Sequence, residues 1–204
     1  MVGMAVIQMA KEMGVKTINI VRFNRPDLNR TLKLLTNLGG DINTHEYYLN
    51  TPEFNEMIKE MPPIKLALNC VGGEVATDLA RVLAPNGTLV TYGGMSKEPL
   101  SIPQDLLTYK QLKLKGFWIS TWYENHSREE ASVMLNHIAN QVSEKKLTFF
   151  YRMHDLDDFD YALQKATEPF QDRKVVLNLD FPDRFKEHDA RPSSDYWPFE
   201  APVI

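Results

Sequence analysis

Apolar positions along this chain alternate between helical spacing, every three to four residues, and the two-residue spacing of strands. Val2, Ala5, Val6, Met9 and Met13 recur on one helical face and Gly14 stands where a C-terminal cap belongs, so residues 1–14 read as a helix. Lys16–Arg22 reads as a strand, followed by a helix over Pro26–Leu38 with proline in its first turn and Gly39-Gly40 after it. A short segment around Asp41–Thr44 leads to a helix near Pro52–Lys59. Leu66–Val71 is a strand ending in Gly72-Gly73, Val75–Leu83 a helix, Pro85-Asn86-Gly87 a turn, and Thr88–Tyr92 a strand that breaks at Gly93-Gly94. Leu112–Ile119 reads as a further strand. Ser127–Lys145 reads as a long amphipathic helix opened by the capping box Ser127-Arg128-Glu129-Glu130. After residue 146 come a β-like run at Leu147–Tyr151, a helix over Leu156–Thr167 and a last strand over Lys174–Leu179. Strands separated by helices predict an α/β fold built on a parallel sheet flanked by helices. Residues 181–204, with four prolines and the run Tyr196-Trp197-Pro198-Phe199, read as an irregular tail.

Composition narrows the class. The 204 residues suffice for a sizeable core, and 43% hydrophobic with 25% charged residues is ordinary for a globular protein. With 23 basic against 27 acidic side chains the net charge is −4, so no overall field recruits nucleic acid or an anionic membrane, and any phosphate must be bound locally. No stretch approaches the ~18 apolar residues of a membrane span. A single cysteine, Cys70, leaves no internal disulfide framework and suits a reducing compartment. His45, His126, His137, His154 and His188 are scattered without metal-ligand spacing, so no metal site is expected.

In an open parallel sheet, ligands bind outside the carboxyl ends of the strands. Two strands here end in paired glycines, which remove a Cβ where a flat ring or a pyrophosphate could approach the backbone, although paired glycines also make tight turns. The strand ending Val21-Arg22-Phe23-Asn24-Arg25 bears on the cofactor. An acid at this place in a dinucleotide-binding unit takes a ribose 2′-hydroxyl, whereas arginine accommodates a 2′-phosphate. Arg22 and Arg25, with no acid before Asp27, suit the phosphate, or are solvated loop charges. Of the fingerprint Gly-x-Gly-x-x-Gly only Gly3 is present, at the start of the first helix.

The strings Leu66-Ala67-Leu68-Asn69-Cys70-Val71-Gly72-Gly73, Gly87-Thr88-Leu89-Val90-Thr91-Tyr92-Gly93-Gly94-Met95-Ser96-Lys97 and Leu112-Lys113-Leu114-Lys115-Gly116-Phe117-Trp118 resemble the mitochondrial trans-2-enoyl-CoA (enoyl-acyl carrier protein) reductases of the medium-chain dehydrogenase/reductase superfamily. The similarity runs from Val2 to about Leu179.

The resemblance implies a Rossmann-type domain that binds NADPH and reduces the 2,3-double bond of an enoyl thioester, with hydride to C3 and a proton to C2. Gly3 then matches the last glycine of the phosphate loop, Arg22 and Arg25 the arginines around the 2′-phosphate, and Tyr92, Gly93, Gly94 and Met95 a segment lining the cofactor. Phe117, Trp118 and Ile119 match a second such segment, and Lys174 a basic residue of the returning C-terminal part. An acyl carrier protein or coenzyme A thioester, a homodimer and a mitochondrial location are implied likewise. Against this pattern the catalytic domain and the first Rossmann strand are not in the sequence, so no catalytic residue is assigned here. Residues 1–146 are expected to be a truncated NADPH-binding domain and 147–180 a segment returning to the absent catalytic domain. Because that first strand is central in the order 3-2-1-4-5-6, its neighbours are expected to present unpaired edges. A non-catalytic product that binds a partner, or a quinone or enone reductase relative, is the alternative.

Overall fold

The computed structural model describes residues 1–179. Their contacts group into two compact units. One comprises Met1–Asn19, Arg25–Asn43 and the chain from Leu135 onward, the other Ile20–Asn24 and Thr44–Met134.

The first helix, α1 (Val2–Glu12), is closed by Gly14 at φ +67°, whose N–H donates to the Lys11 carbonyl at 3.1 Å. Its buried positions are Ile7, Gln8 and Ala10, while Val2, Met9 and Met13 are exposed, so the apolar face expected from spacing is not the one covered. The reason lies in Gln8. Its side-chain N–H donates to the Thr148 carbonyl at 3.0 Å and its carbonyl accepts from the Thr148 N–H at 2.8 Å, satisfying an amide that burial would otherwise penalise. β1 (Ile18–Val21) and β2 (Ile42–His45) form a two-stranded sheet, and α2 (Leu28–Asn37) lies between them in sequence.

A short 3₁₀ turn (Glu46–Asn50) leads to α3 (Pro52–Lys59), where the Thr51 hydroxyl accepts from the Phe54 N–H at 3.2 Å. Phe54 is fully buried, edge-on to Tyr48 at 5.7 Å. β3 (Leu66–Asn69), α4 (Gly73–Val82), β4 (Thr88–Thr91), α5 (Gln104–Thr108) and β5 (Lys113–Gly116) follow. The three strands make a parallel sheet in the order β3-β4-β5, with Asn69, Thr91 and Gly116 in register at its carboxyl end. Ala67, Ala80, Leu83, Leu89, Leu106 and Leu112 form its core.

β5 stops at Gly116, and Ile119 belongs instead to a helix, α6 (Ile119–Glu124), entered through an extended Trp118. The segment from Leu112 therefore spans a strand, an extended link and a helix start, three environments that each accept bulky residues. The capping box exists as expected: the Ser127 hydroxyl accepts from the Glu130 N–H and the Glu130 carboxylate from the Ser127 N–H, at 3.2 and 2.8 Å. The helix it opens, α7 (Arg128–Ser143), buries no residue, so its amphipathic pattern meets no core among the described residues.

The β-like run at Leu147–Tyr151 is displaced. Leu147 is buried in a loop and the strand β6 is Tyr151–Asp155, which pairs in parallel with β7 (Lys174–Asn178) across α8 (Phe159–Thr167). Two strands and a helix cannot cover all their apolar side chains. Met153, Leu156, Phe159, Tyr161 and Leu163 all stand open. No described helix is long and apolar enough to cross a membrane. The expected tail, residues 181–204, lies outside the described residues.

Candidate nucleotide-binding edge

The carboxyl end of β3-β4-β5 is assembled around Asn69, only 1% exposed. Its side-chain carbonyl accepts from the Val71 and Gly72 N–H groups, both at 3.1 Å, and its N–H donates to the Thr91 hydroxyl at 3.2 Å. One side chain thus closes the turn after β3 and ties it to β4. Asparagine is suited to this because it offers an acceptor and a donor on one short arm.

The chain continues past the strands along the same edge. The Tyr92 N–H donates to the Asn69 carbonyl at 2.9 Å, Phe117 N–H to Thr91 at 2.9 Å, Met95 N–H to Cys70 at 3.0 Å and Ser96 N–H to Val71 at 2.9 Å. The Ser96 hydroxyl donates to the Val71 carbonyl as well, at 2.7 Å. Gly72 adopts φ +88°, ψ −163°, and a Cβ there would lie 3.1 Å from both the Glu98 carbonyl and the Ser96 hydroxyl. At Gly93 a Cβ would press the Cys70 carbonyl at 3.3 Å, whereas at Gly94 it would meet nothing within 4 Å. The structure therefore gathers Tyr92, Gly93, Gly94, Met95 and Phe117 at one edge, with Met95 70% and Trp118 66% exposed. Ile119 follows on α6. Burial, then contact with Cys70, pushes the Tyr92 phenol upward, so it stays uncharged. Cys70 lies just beyond β3 and is half-buried, not inside a buried strand.

In the same unit, Arg22, Phe23 and Asn24 emerge exposed at the end of β1. The Phe23 N–H donates to the Glu46 carboxylate at 2.7 Å. An acid thus reaches this strand end from 23 residues away, which the local sequence does not disclose.

Gly3, Arg25 and Lys174 belong to the other unit. A Cβ on Gly3 would meet nothing within 4 Å, and the first turn of α1 carries no carboxylate and no side-chain cap, so its N-terminus is chemically suited to an anion. Lys174 opens β7, exposed, with its N–H donating to the Phe150 carbonyl at 2.9 Å. Arg25 is held bidentately by Asp27, at 2.6 and 3.1 Å, donates to the Phe170 carbonyl at 3.4 Å and lies over the Phe170 ring. That hydrogen bond from Arg25 lowers the Asp27 pKa below its ordinary 3.8. A lowered carboxylate contributes stability above its unfolded value and loses it as pH falls through the folded one. Asp27→Asn is expected to cost about 1 kcal/mol at pH 7. In urea unfolding the gap from the unmodified chain narrows below pH 3.8. A gap that stays constant to pH 2.5 refutes the assignment.

Comparison with known proteins places this geometry. The zinc-binding dehydrogenase family profile matches residues 2–140. The mitochondrial enoyl-[acyl-carrier-protein] reductase of Dictyostelium discoideum is 43% identical over 179 residues, 88% of this chain and 51% of that protein. A solved complex of Etr1p with NADP and crotonyl-CoA superposes with TM-score 0.77 at 33% identity, over 87% of this chain and 50% of the other. The Etr1p/Etr2p heterodimer of mitochondrial 2-enoyl thioester reductase from Candida tropicalis superposes with TM-score 0.76 at 33% identity, over 87% and 50%. The chain thus spans about half the length of the relatives it matches. Among the described residues no group of three or more histidine, cysteine or carboxylate side chains could hold a metal ion, so they do not fit the zinc of the family's description. The parallel sheet, its glycine-lined carboxyl edge and these likenesses lead to one conclusion: the chain has the Rossmann-like cofactor-domain fold and belongs to the zinc-binding dehydrogenase family, as a homologue of the mitochondrial enoyl-[acyl-carrier-protein] reductases.

Proposed function

We propose that this chain is the NADPH-binding part of an enoyl thioester reductase, taking the 2,3-enoyl thioester of an acyl carrier protein or of coenzyme A. The observation that carries the reading is the edge itself, where Asn69 locks two glycine-bearing turns side by side and leaves Gly94 open. Bound NADPH supplies the hydride, which reaches C3 while C2 takes a proton. The residues of this chain bind and orient. The backbone of Tyr92, Gly93, Gly94 and Met95, with Phe117, Trp118 and Ile119, lines the cofactor. Gly3 admits phosphate to the α1 N-terminus, and Arg22 and Lys174 supply positive charge, while Arg25 could do so only by leaving its pair with Asp27. Residues 1–146 form the cofactor part and 147–180 the segment that meets a catalytic domain, whose reception explains the apolar side chains open on β6 and α8. A mitochondrial location and a homodimer complete the reading, supported by the mitochondrial relatives and by the dimeric Etr1p/Etr2p neighbour.

Titration of the purified chain with NADPH and NADH, followed by tryptophan fluorescence, tests the reading, since Trp118 stands at the edge. Saturable quenching with preference for NADPH is expected. Arg22→Gln is expected to weaken NADPH about tenfold, the worth of a charged hydrogen bond, and to leave NADH unchanged. A folded chain that binds neither nucleotide overturns the proposal and leaves the non-catalytic, partner-binding reading.

A further inference from the structure

Gln8 uses both of its amide hydrogens and its carbonyl inside the protein. Buried on α1, its amide nitrogen donates to the Met4 carbonyl one turn back at 3.1 Å and to the Thr148 carbonyl at 3.0 Å, while its own carbonyl accepts from the Thr148 N–H at 2.8 Å. One side chain that holds both the N–H and the C=O of a single residue imitates the pairing of two strands, so it fixes the register of the chain at Thr148 as well as its distance from α1. A leucine would fill this core position at lower cost in desolvation. What the amide adds is register.

The segment it holds leads to Lys174. Leu147, only 2% exposed, seats the chain. Two residues beyond Thr148 the Phe150 carbonyl accepts from the Lys174 N–H at 2.9 Å, and the parallel pairing of β6 with β7 starts beside it, Tyr151 opposite Lys174. Gln8 itself stands five residues, ~7.5 Å along the axis, from Gly3 at the start of the same helix. The links from Gln8 to Thr148, along the chain to Phe150 and across to Lys174 thus join the helix that carries Gly3 to the start of β7, all within one compact unit. Lysine has a long, freely rotating stem, so the strength of its contact with a phosphate depends on where its backbone is held.

We propose that Gln8 is a positioning residue for the dinucleotide: through residues 148–150 it sets Lys174 at a fixed place relative to the α1 N-terminus, and touches no nucleotide itself. The inference rests on the NADPH reading above and adds the side chain that makes the first helix and the returning segment one binding surface.

A double-mutant cycle, read by isothermal titration of the full chain with NADPH, tests it. Lys174→Gln is expected to weaken NADPH about tenfold, the worth of a charged hydrogen bond. Gln8→Leu is expected to weaken it by a similar factor, and the double variant also by about tenfold, where independent effects would multiply to about a hundredfold. A merely structural role for Gln8 gives the independent result. In the unmodified chain, saturating NADPH is expected to slow hydrogen exchange of the Thr148 amide severalfold, followed by NMR. Circular dichroism checks that the variants fold. If Gln8→Leu does not, Gln8→Glu, which keeps the shape and the acceptor for the Thr148 N–H, replaces it in the cycle, and the exchange measurement needs no variant. Full NADPH affinity in a folded Gln8 variant, factors that multiply, full affinity in Lys174→Gln, or an unchanged Thr148 amide each overturns the positioning role and leaves the NADPH reading standing. If the folded unmodified chain binds no NADPH, both fall.

Discussion

Asn69→Leu is expected to lose about 3 kcal/mol of stability, because it strands the buried Gly72 N–H and the part-buried Val71 N–H at ~1–3 kcal/mol each and breaks the link to Thr91. That is a large share of the ~5–15 kcal/mol typical of a domain. Leucine keeps the branched outline but is larger, so no cavity opens, and the cost is lost polarity with overpacking added to it. Asn69→Asp separates the effects. It keeps the acceptor for Val71 and Gly72, and the Thr91 hydroxyl can turn to donate, so more stability is retained than in Asn69→Leu. Urea unfolding measures both variants. An Asn69→Leu chain within about 1 kcal/mol of the unmodified one would mean that the turn closes without the side chain.

The second large effect is expected at Gly72. At φ +88°, ψ −163° an alanine is forced into a region open essentially to glycine alone, at a cost of about 1–3 kcal/mol. Its Cβ also meets the Glu98 carbonyl and the Ser96 hydroxyl at 3.1 Å, which brings the expected loss for Gly72→Ala to the top of that range. The turn has to shift, and with it the Cys70 and Val71 carbonyls that hold Met95 and Ser96. Gly94→Ala is the counterpart. With nothing within 4 Å of its Cβ it is expected to stay within about 0.5 kcal/mol of the unmodified chain, yet to weaken NADPH where the added methyl meets the nucleotide. Equal stability for Gly72→Ala and the unmodified chain would remove the conformational argument. Full NADPH affinity in Gly94→Ala would place the cofactor elsewhere.

Much of this architecture is legible in the sequence. The succession of helices and strands follows from side-chain periodicity, and Gly14, Gly72 and the Ser127–Glu130 box act over a few residues, where backbone geometry is decided locally. The pairing of Arg25 with Asp27 is also a short-range feature, two residues apart, that a reading centred on phosphate passes over. The Asn69 turn had a local signal too, an asparagine at a strand end three residues before a glycine at its own positive φ, Gly72. Where local pattern misled, a bulky apolar residue suited more than one environment: Ile119 fits a helix start as well as a strand end, and Leu147 a buried loop as well as a strand.

By itself, then, the sequence determined the α/β class, most of the alternation of strands and helices and the glycine-ended strands, because each depends on contacts within one turn or one strand. The tertiary structure decided which of those residues share an edge. It set Asn69 against Thr91, 22 residues on, brought Glu46 to Phe23, gathered three aromatic rings at two strand ends, and buried Gln8 against Thr148, 140 positions away. Such partners are chosen by packing and by the need to satisfy every buried polar group, and neither is encoded in a local window of sequence.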